Sequence, residues 1–407
     1  MAMADLELKK ILNKVPEITI YFWIIKVLCT TVGETAADFL NVNLNFGLTA
    51  TSIVTGVLLA VVLFFQFRAI RYIPRTYWLA VTLVSVFGTL ETDNLSDKSF
   101  PLETSTVLFG VLLALTFLAW YVSEKTLSIH SIFTRRREAF YWTAILFTFA
   151  LGTAAGDLVS EGLGVGYLMT GVLVAAMIAV TAVAWRFGLN SILSFWIIYV
   201  LTRPLGASIG DLLSQPSKYG GLGLGATVTS FIFLGAILGI VTYLTLTKRD
   251  VIAAAAAGQT DESKEKDGAW QTAVVLALFL IGGGTGYYIR HAALLSDIPA
   301  PQGAVINATS TQTTATPLGD MSSFKSTAQA ILDSVNAGDW PEANNHVNDL
   351  EHDWDTALAR LKPMNGAAWN HVDGALDKVF REVRAVHPNA QTAQASLQNL
   401  LTVLNNP

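Results

Sequence analysis

The chain has 407 residues, of which 52% are hydrophobic and only 14% are charged, and its mean hydropathy is +0.47. This composition excludes an ordinary soluble domain and is typical of a polytopic membrane protein, so the lipid bilayer is its first expected partner. The net charge of −5 comes mainly from the loops and the last hundred residues, and no basic patch indicates a nucleic-acid partner.

The first predicted element is a cytosolic N-terminal segment, 1–17, which carries three lysines. The apolar span after it is too long for the core of a signal peptide, so we expect it to remain as a membrane helix. In all, nine stretches have the roughly twenty apolar residues needed to cross ~30 Å of hydrocarbon. They are predicted near 18–41, 47–67, 77–94, 103–123, 140–160, 164–187, 191–214, 222–247 and 269–289.

Polar segments flank the ninth span, 269–289. Residues 249–268 are small, polar and charged, which predicts a flexible cytosolic linker. Residues 290–319 are rich in Ala, Thr, Ser and Pro, which predicts a flexible tether. Residues 320–407 show helical periodicity in four stretches, so we expect a small extracytoplasmic helical bundle.

A repeated motif organises residues 18–248. A Trp is followed after ten residues by a Gly and after five more by an Asp, and this set occurs four times, starting 55, 64 and 54 residues apart. A constant motif at long intervals indicates duplication of one structural unit. The copies are Trp23/Gly33/Asp38, Trp78/Gly88/Asp93, Trp142/Gly152/Asp157 and Trp196/Gly206/Asp211.

The repeats also predict the fold class. Each repeat supplies a motif helix and a plainer apolar helix, and two crossings return the chain to the same side, so the four repeats are parallel. We therefore expect an all-α polytopic membrane protein with eight helices in four parallel repeats, a ninth transmembrane helix and a C-terminal soluble bundle. The Lys and Arg residues of short loops place the N-terminus in the cytosol, the terminal domain outside, and the motif aspartates in the outer half of the bilayer.

The strongest candidate functional residues are the motif aspartates Asp38, Asp93, Asp157 and Asp211. A charged group in hydrocarbon costs several kcal/mol, so an intramembrane carboxylate indicates a functional site. The alternative for each is a carboxylate near the helix end that reaches interfacial water or caps a following turn. Residues four apart share a helix face, which adds Glu34 and Glu161 to the predicted cation path. Glu91, two residues before Asp93, is included in this path as a third glutamate. Thr89 and Thr153 take the place that Glu34 has in the first repeat.

Converging carboxylates require a positive charge, which a bound cation, a proton or a basic side chain could supply. Arg203 and Lys26 are the candidates for charge compensation, because they lie well inside motif helices. The alternative for Lys26 is a side chain that extends to the cytosolic surface. Oxygen ligands, with Cys29 as the single cysteine, favour a hard cation such as Mn²⁺, Mg²⁺ or Ca²⁺, or a proton.

The motif glycines have a packing role available. Without a side chain, each of them allows a neighbouring membrane helix to approach its backbone closely. Glycine is also common in membrane helices, so its presence alone does not establish such a contact. The four residues are Gly33, Gly88, Gly152 and Gly206.

The segments GETAAD (33–38), GTLETD (88–93), GTAAGD (152–157) and GASIGD (206–211) carry a resemblance to known proteins. Over roughly 18–248 the chain resembles a bacterial family of uncharacterised membrane-anchored proteins built from a repeated short transmembrane unit. This resemblance implies a bacterial inner-membrane protein and brings no known activity.

Our first hypothesis for function is a secondary transporter, taken as an exporter, of a hard metal cation, with possible coupling to protons. The alternative is a membrane anchor or sensor in which the acidic network is structural and the outer domain binds an unidentified protein partner. An enzyme is not expected, because no Ser-His-Asp set, phosphate loop or zinc-protease motif is present. No tightly bound cofactor is expected, and the metal cation or proton would be the substrate. In the terminal domain, His346, Asp349 and Asp353 share a helix face and suggest either a metal site or a solvated acidic surface.

Overall fold

The structure is a computed structural model that describes residues 13–40, 48–97, 101–215, 221–250, 268–296, 316–362, 364–385 and 388–407. These residues form thirteen α-helices. In chain order they are α1 (Ile20–Asp38), α2 (Leu48–Arg68), α3 (Pro74–Asp97), α4 (Leu102–Glu124), α5 (Arg135–Asp157), α6 (Tyr167–Arg186), α7 (Ser191–Ser214), α8 (Gly225–Thr247), α9 (Gly268–Ser296), α10 (Ser322–Ala337), α11 (Trp340–Leu361), α12 (Gly366–Val383) and α13 (Ala390–Asn405). A 3₁₀ turn, Ile129–Ser131, precedes α5, and a π-helical turn, Leu158–Gly162, continues it.

In the described part of the chain, eight helices are long and apolar enough to cross a membrane, and they correspond to eight of the nine predicted spans. The exception is α3, predicted as the span 77–94. With 24 residues, α3 is about 36 Å long, which is enough to cross. Its C-terminal half carries Glu91, Asp93 and Asp97, so acidic residues rather than length lower its hydropathy.

The four motif helices form a closed ring. Helix α1 packs against α3 and α7, and α5 packs against the same two helices. Each plainer helix packs mainly on the motif helix of the next repeat, namely α2 on α3, α4 on α5 and α6 on α7. Helix α8 of the last repeat packs on α1 of the first and closes the ring. The predicted parallel repeats are therefore confirmed, and they surround one axis.

The motif glycines lie where neighbouring ring helices touch. A Cβ atom added to Gly152 would lie 2.6 Å from Arg203 Cβ, and one added to Gly88 would lie 3.0 Å from Phe149 Cβ. Gly33 meets Ser85 and Gly206 meets Thr30 in the same way. In each case the contacted residue precedes the glycine of the next repeat by three positions. The close approach predicted for the glycines is present at all four ring contacts.

Aromatic side chains fill one end of the ring. Tyr77 and Tyr141, which precede the motif Trp of repeats two and three, are fully buried, and their hydroxyls form a hydrogen bond. Trp78 is also fully buried, and its ring contacts Phe22 and Tyr77 edge-on or tilted. This end of the bundle is closed by packed rings, whereas hydroxyl and small side chains dominate around the motif glycines.

Residues 13–17 of the predicted cytosolic segment 1–17 pack against the bundle. Asn13, Lys14 and Val15 are buried. The ammonium of Lys14 donates to the Glu138 carboxylate at 2.7 Å and to the Phe67 carbonyl at 3.1 Å. Lys14 can be buried because its ammonium pairs with Glu138, a buried acid that is remote in the sequence. Residues 1–12 of the predicted segment lie outside the described residues.

At the C-terminal end of the repeat body, the first residues of the predicted linker pack against the bundle. Asp250, assigned to the linker 249–268, is buried, and its carboxylate accepts a hydrogen bond from the Tyr72 hydroxyl. Its backbone carbonyl accepts from the Glu17 N–H at 3.0 Å. Residues 251–267 of the predicted linker lie outside the described part of the chain.

Helix α9 continues to Ser296, so the first seven residues of the predicted tether 290–319 are helical. The tether residues 297–315 lie outside those described. Helices α10 to α13 then form a second hydrophobic core, as predicted for 320–407. At its centre the rings of Trp354 and Trp369 stack with their centroids 3.8 Å apart.

Candidate functional site

Arg203 lies at the centre of the ring of motif helices and is fully buried. Its Nε donates to Thr153 Oγ1 at 2.9 Å, and its Nη1 donates to the Thr30 carbonyl oxygen at 2.9 Å. Its Nη2 donates to the Glu34 carboxylate and to Thr89 Oγ1. The guanidinium is therefore held by four oxygens from α1, α3 and α5.

The side chains that bind Arg203 occupy one position of the repeat. Glu34, Thr89 and Thr153 each follow the motif glycine directly, and Ala207 has this position in the fourth repeat. The Arg203 guanidinium of repeat four is thus bound by side chains at the equivalent position of the other three repeats. This arrangement requires the shared axis that the closed ring provides.

The local backbone explains how so large a side chain fits here. The missing side chain of Gly152 leaves room for the Cβ and Cγ atoms of Arg203, and the next residue, Pro204, packs against Gly152 and Gly156. Helix α7 continues through Pro204 to Ser214. Glu34 retains 13% exposure and Arg203 only 1%, so this is a nearly buried ion pair. Removing one partner of such a pair costs about 3 to 5 kcal/mol.

Lys26 is also inside the ring, with only 1% of its surface exposed, so its proposed extension to the cytosolic surface is wrong. Its Nζ lies 3.7 Å from the centroid of the Phe149 ring and 4.2 Å from that of Tyr199. These cation–π contacts replace the solvation that the surface would supply. Among the described residues, Nζ has no hydrogen-bond partner. Lys26 therefore adds a second basic group, one helical turn from Thr30 on α1.

The motif aspartates lie one turn beyond the residues that bind Arg203. Asp93, Asp157 and Asp211 are half-buried near the ends of α3, α5 and α7, four residues after Thr89, Thr153 and Ala207, respectively. Residues four apart share a helix face, so the three carboxylates continue the same columns toward the C-terminal ends of these helices. Asp38 ends α1, and its side chain lies outside the described residues.

Two further acids of the predicted path differ in location. Glu161 is half-buried on the π-helical turn after α5, whereas Glu91 is exposed and does not face the ring. Within the described residues, no three His, Cys, Asp or Glu side chains are grouped so that they could hold a metal ion. This includes His346, Asp349 and Asp353. The metal site predicted from four aspartates stays a prediction, because it depends on Asp38.

A polar cluster that the sequence analysis missed lies beside the aromatic rings at the end of the bundle that contains Trp78. Glu138 pairs with Lys14, and its second oxygen accepts from Gln66 Nε2 at 3.2 Å. Nearby, Tyr72 bridges Trp78 Nε1 and the Asp250 carboxylate. Burial raises the pKa of Asp250 despite the hydrogen bond from Tyr72, which acts in the opposite direction. The sequence signal that could have revealed this cluster is Glu138 itself, an acid two residues before the predicted span 140–160.

Comparison with known proteins supports the repeat architecture. A family model matches residues 21–72, 76–126, 140–187 and 194–250, which together make up half of the chain. Each match contains one motif helix and the plainer helix after it, as in the four predicted repeats. Searches of curated proteins and of solved structures found no match. The chain therefore belongs to the family described as Repeat of Unknown Function (DUF347).

Proposed function

We propose that the four-repeat body is a secondary transporter of a hard metal cation in a bacterial inner membrane. In this proposal the N-terminus is cytosolic and the helical domain from residue 320 is extracytoplasmic. The observation that carries the proposal is the set of four oxygens around the Arg203 guanidinium on the ring axis. Carboxylate, hydroxyl and carbonyl oxygens are also the ligands that hard cations prefer.

The Arg203 guanidinium occupies a position that a transported cation could take. Glu34 supplies the negative charge, and Thr89, Thr153 and the Thr30 carbonyl supply neutral oxygens. Two unit charges 4 Å apart attract by about 4 kcal/mol at an effective dielectric of 20. A divalent cation at Glu34 would compete with this attraction, and protonation of Glu34 would remove it. Exchange between guanidinium and substrate is the transport step that we propose.

The charges on either side of this site are consistent with such an exchange. Asp93, Asp157 and Asp211 lie one turn outward and would attract a cation to or from the outer face. Lys26, in the opposite direction along α1, would repel a cation held at Glu34 when its amine is protonated. The closed ring would therefore stop a cation from leaking through while Arg203 occupies the site.

A second function is favoured by a different observation. Each nitrogen of the Arg203 guanidinium donates a hydrogen bond, and aromatic side chains fill the adjoining end of the ring. A satisfied network of this kind also suits a membrane anchor or sensor whose acids are structural. In that case the terminal domain would carry the binding function.

Flux through the purified full-length protein in liposomes distinguishes the two functions. Uptake and efflux of Mn²⁺, Mg²⁺ and Ca²⁺ would be measured together with internal pH for wild type, Glu34→Gln and Asp157→Asn. Glu91→Gln is the matched control, because Glu91 is an acid of a motif helix that does not face the ring. We expect flux for at least one ion in wild type and control, and a more than tenfold loss in Glu34→Gln.

The direction of net flux and the accompanying change in internal pH would identify export and proton coupling. Equal flux in wild type and Glu34→Gln would rule out exchange at the Arg203 site. The absence of flux for every ion, with Glu34→Gln only lowering the unfolding temperature, would instead support the anchor or sensor.

A further inference from the structure

A groove of about 430 Å³ runs between α4 and α5 on the outside of the ring. Its walls are mostly apolar and extend along α4 from Leu112 to Ala119 and along α5 from Arg136 to Phe147. Many side chains of α4 are exposed, as are Ala139 and Thr143 of α5, as expected for surfaces that contact lipid. The groove is separate from the Arg203 site.

The length of the groove matches one leaflet of the bilayer. Arg136 and Phe147 are eleven residues apart, which corresponds to about 16 Å along a helix. The hydrocarbon core is ~30 Å thick, so one leaflet occupies about half of that. An acyl chain that enters beside Arg136 would therefore reach Phe147 near the middle of the membrane.

The polar end of the groove is basic. The Arg136 side chain is 69% exposed, and its Nε lies 3.6 Å from a Glu124 oxygen. The other oxygen of Glu124 is bound by Arg137 at 2.8 Å, so the carboxylate is shared between two guanidinium groups. Arg135 is exposed beside them at the first turn of α5. The amino end of a helix favours anions, which adds to the attraction for a phosphate group.

We propose that this groove binds an anionic phospholipid, with one acyl chain between α4 and α5 and the phosphate at Arg136. A zwitterionic lipid would fill the apolar part of the groove equally well but would gain less from the basic end. The site therefore selects lipids by charge and does not depend on any transport activity.

Native mass spectrometry of the full-length protein tests this site. Wild type, Arg136→Gln, Arg135→Gln and Ala139→Trp would be equilibrated with equal amounts of phosphatidylglycerol and phosphatidylcholine of the same chain length. We expect wild type to retain phosphatidylglycerol preferentially. Arg136→Gln should weaken this retention about fivefold, since one basic residue contributes about 1 kcal/mol to binding of an anionic lipid surface.

Two variants separate the groove from general surface charge. Arg135→Gln removes a neighbouring exposed charge that does not line the groove, so it should retain most of the preference. Ala139→Trp keeps Arg136 but fills the groove, so it should lose the bound lipid. Unchanged unfolding temperatures in detergent would show that these variants are folded.

Several results would overturn the proposal. Equal retention of both lipids by wild type would remove the charge selectivity, and equal losses in Arg135→Gln and Arg136→Gln would show a diffuse surface effect. Dihexanoyl phosphatidylglycerol is the probe for headgroup binding alone. Competition by this short lipid as effective as that by the long-chain lipid would exclude an acyl chain in the groove.

Discussion

Arg203 shows how four similar repeats form a site that is not symmetric. A ring of four identical repeats would bring four identical side chains to its axis. In the structure, the single Arg203 guanidinium fills this space. Repeat four supplies the cation, repeat one supplies the carboxylate of Glu34, and repeats two and three supply Thr89 and Thr153. Divergence of the copies at two positions, three residues before the motif glycine and directly after it, therefore places one ion pair on the ring axis.

Substitution of Arg203 by Met should destabilise the protein by about 3 to 5 kcal/mol, because it leaves the Glu34 carboxylate without its partner. The double variant Arg203→Met/Glu34→Met should recover most of this loss, since no unpaired charge remains. Thermal unfolding of the full-length protein in detergent measures both effects. Additive losses in the double variant would show that the two side chains do not interact.

Substitution of Lys26 should affect stability in the opposite direction to substitution of Arg203. Lys26→Met removes an ammonium that has no hydrogen-bond partner among the described residues, while it keeps a long apolar side chain between Phe149 and Tyr199. Burial of such a charge is costly, so we expect an equal or higher unfolding temperature. A loss comparable to that of Arg203→Met would mean that Lys26 has a strong partner in the folded protein.

The sequence indicated part of this site. The spacing identified Glu34, Thr89 and Thr153 as equivalent positions, and the position of Arg203 well inside a motif helix made it a candidate for charge compensation. It did not show that these residues meet each other, because their contact depends on closure of the ring between residues up to 169 positions apart. For Lys26 a surface location was equally compatible with the sequence, since periodicity does not reveal an aromatic enclosure.

Contacts between helices explain why each motif contains a glycine. Gly152→Ala would place a Cβ atom 2.6 Å from Arg203 Cβ, so α5 and α7 would have to separate. We expect a lower unfolding temperature and, if transport is confirmed, a lower flux. Gly235→Ala in α8 is the matched control, because nothing lies within 4 Å of the added atom. Equal effects of the two substitutions would argue against close packing at Gly152.

The segments that flank the bundle were less predictable than the helices. Hydropathy located the apolar helices because a long apolar run is a local signal, although α9 extends seven residues beyond the end of its predicted span. The burial of Lys14 and Asp250 depends on partners 124 and 178 residues away. Short polar segments do not carry a local signal for such contacts.

The stability of the protein should depend on pH through the buried carboxyl group of Asp250. Burial raises its pKa in the folded protein, so the folded state binds the proton more tightly than the unfolded chain does. The resulting stabilisation is complete below the unfolded pKa of about 4 and is lost as pH rises through the folded pKa. The unfolding temperature of wild type should therefore fall relative to that of Asp250→Asn as pH increases.

The Tyr72 hydroxyl donates to Asp250 and favours its charged form. Tyr72→Phe removes this contribution, so its unfolding temperature should depend more strongly on pH over the same interval. If wild type and Asp250→Asn keep a constant difference in unfolding temperature from pH 4 upward, the raised pKa is wrong.

Closure of the ring involves both ends of the repeat body. The first and last repeats meet through α1 and α8, and the Glu17 N–H donates to the Asp250 carbonyl at 3.0 Å. The ring as a closed structure has no first or last repeat, since every motif helix has the same kinds of neighbour. A circularly permuted chain that began with α3 and ended with α2 could form the same ring, with a new peptide link where residues 17 and 250 now touch.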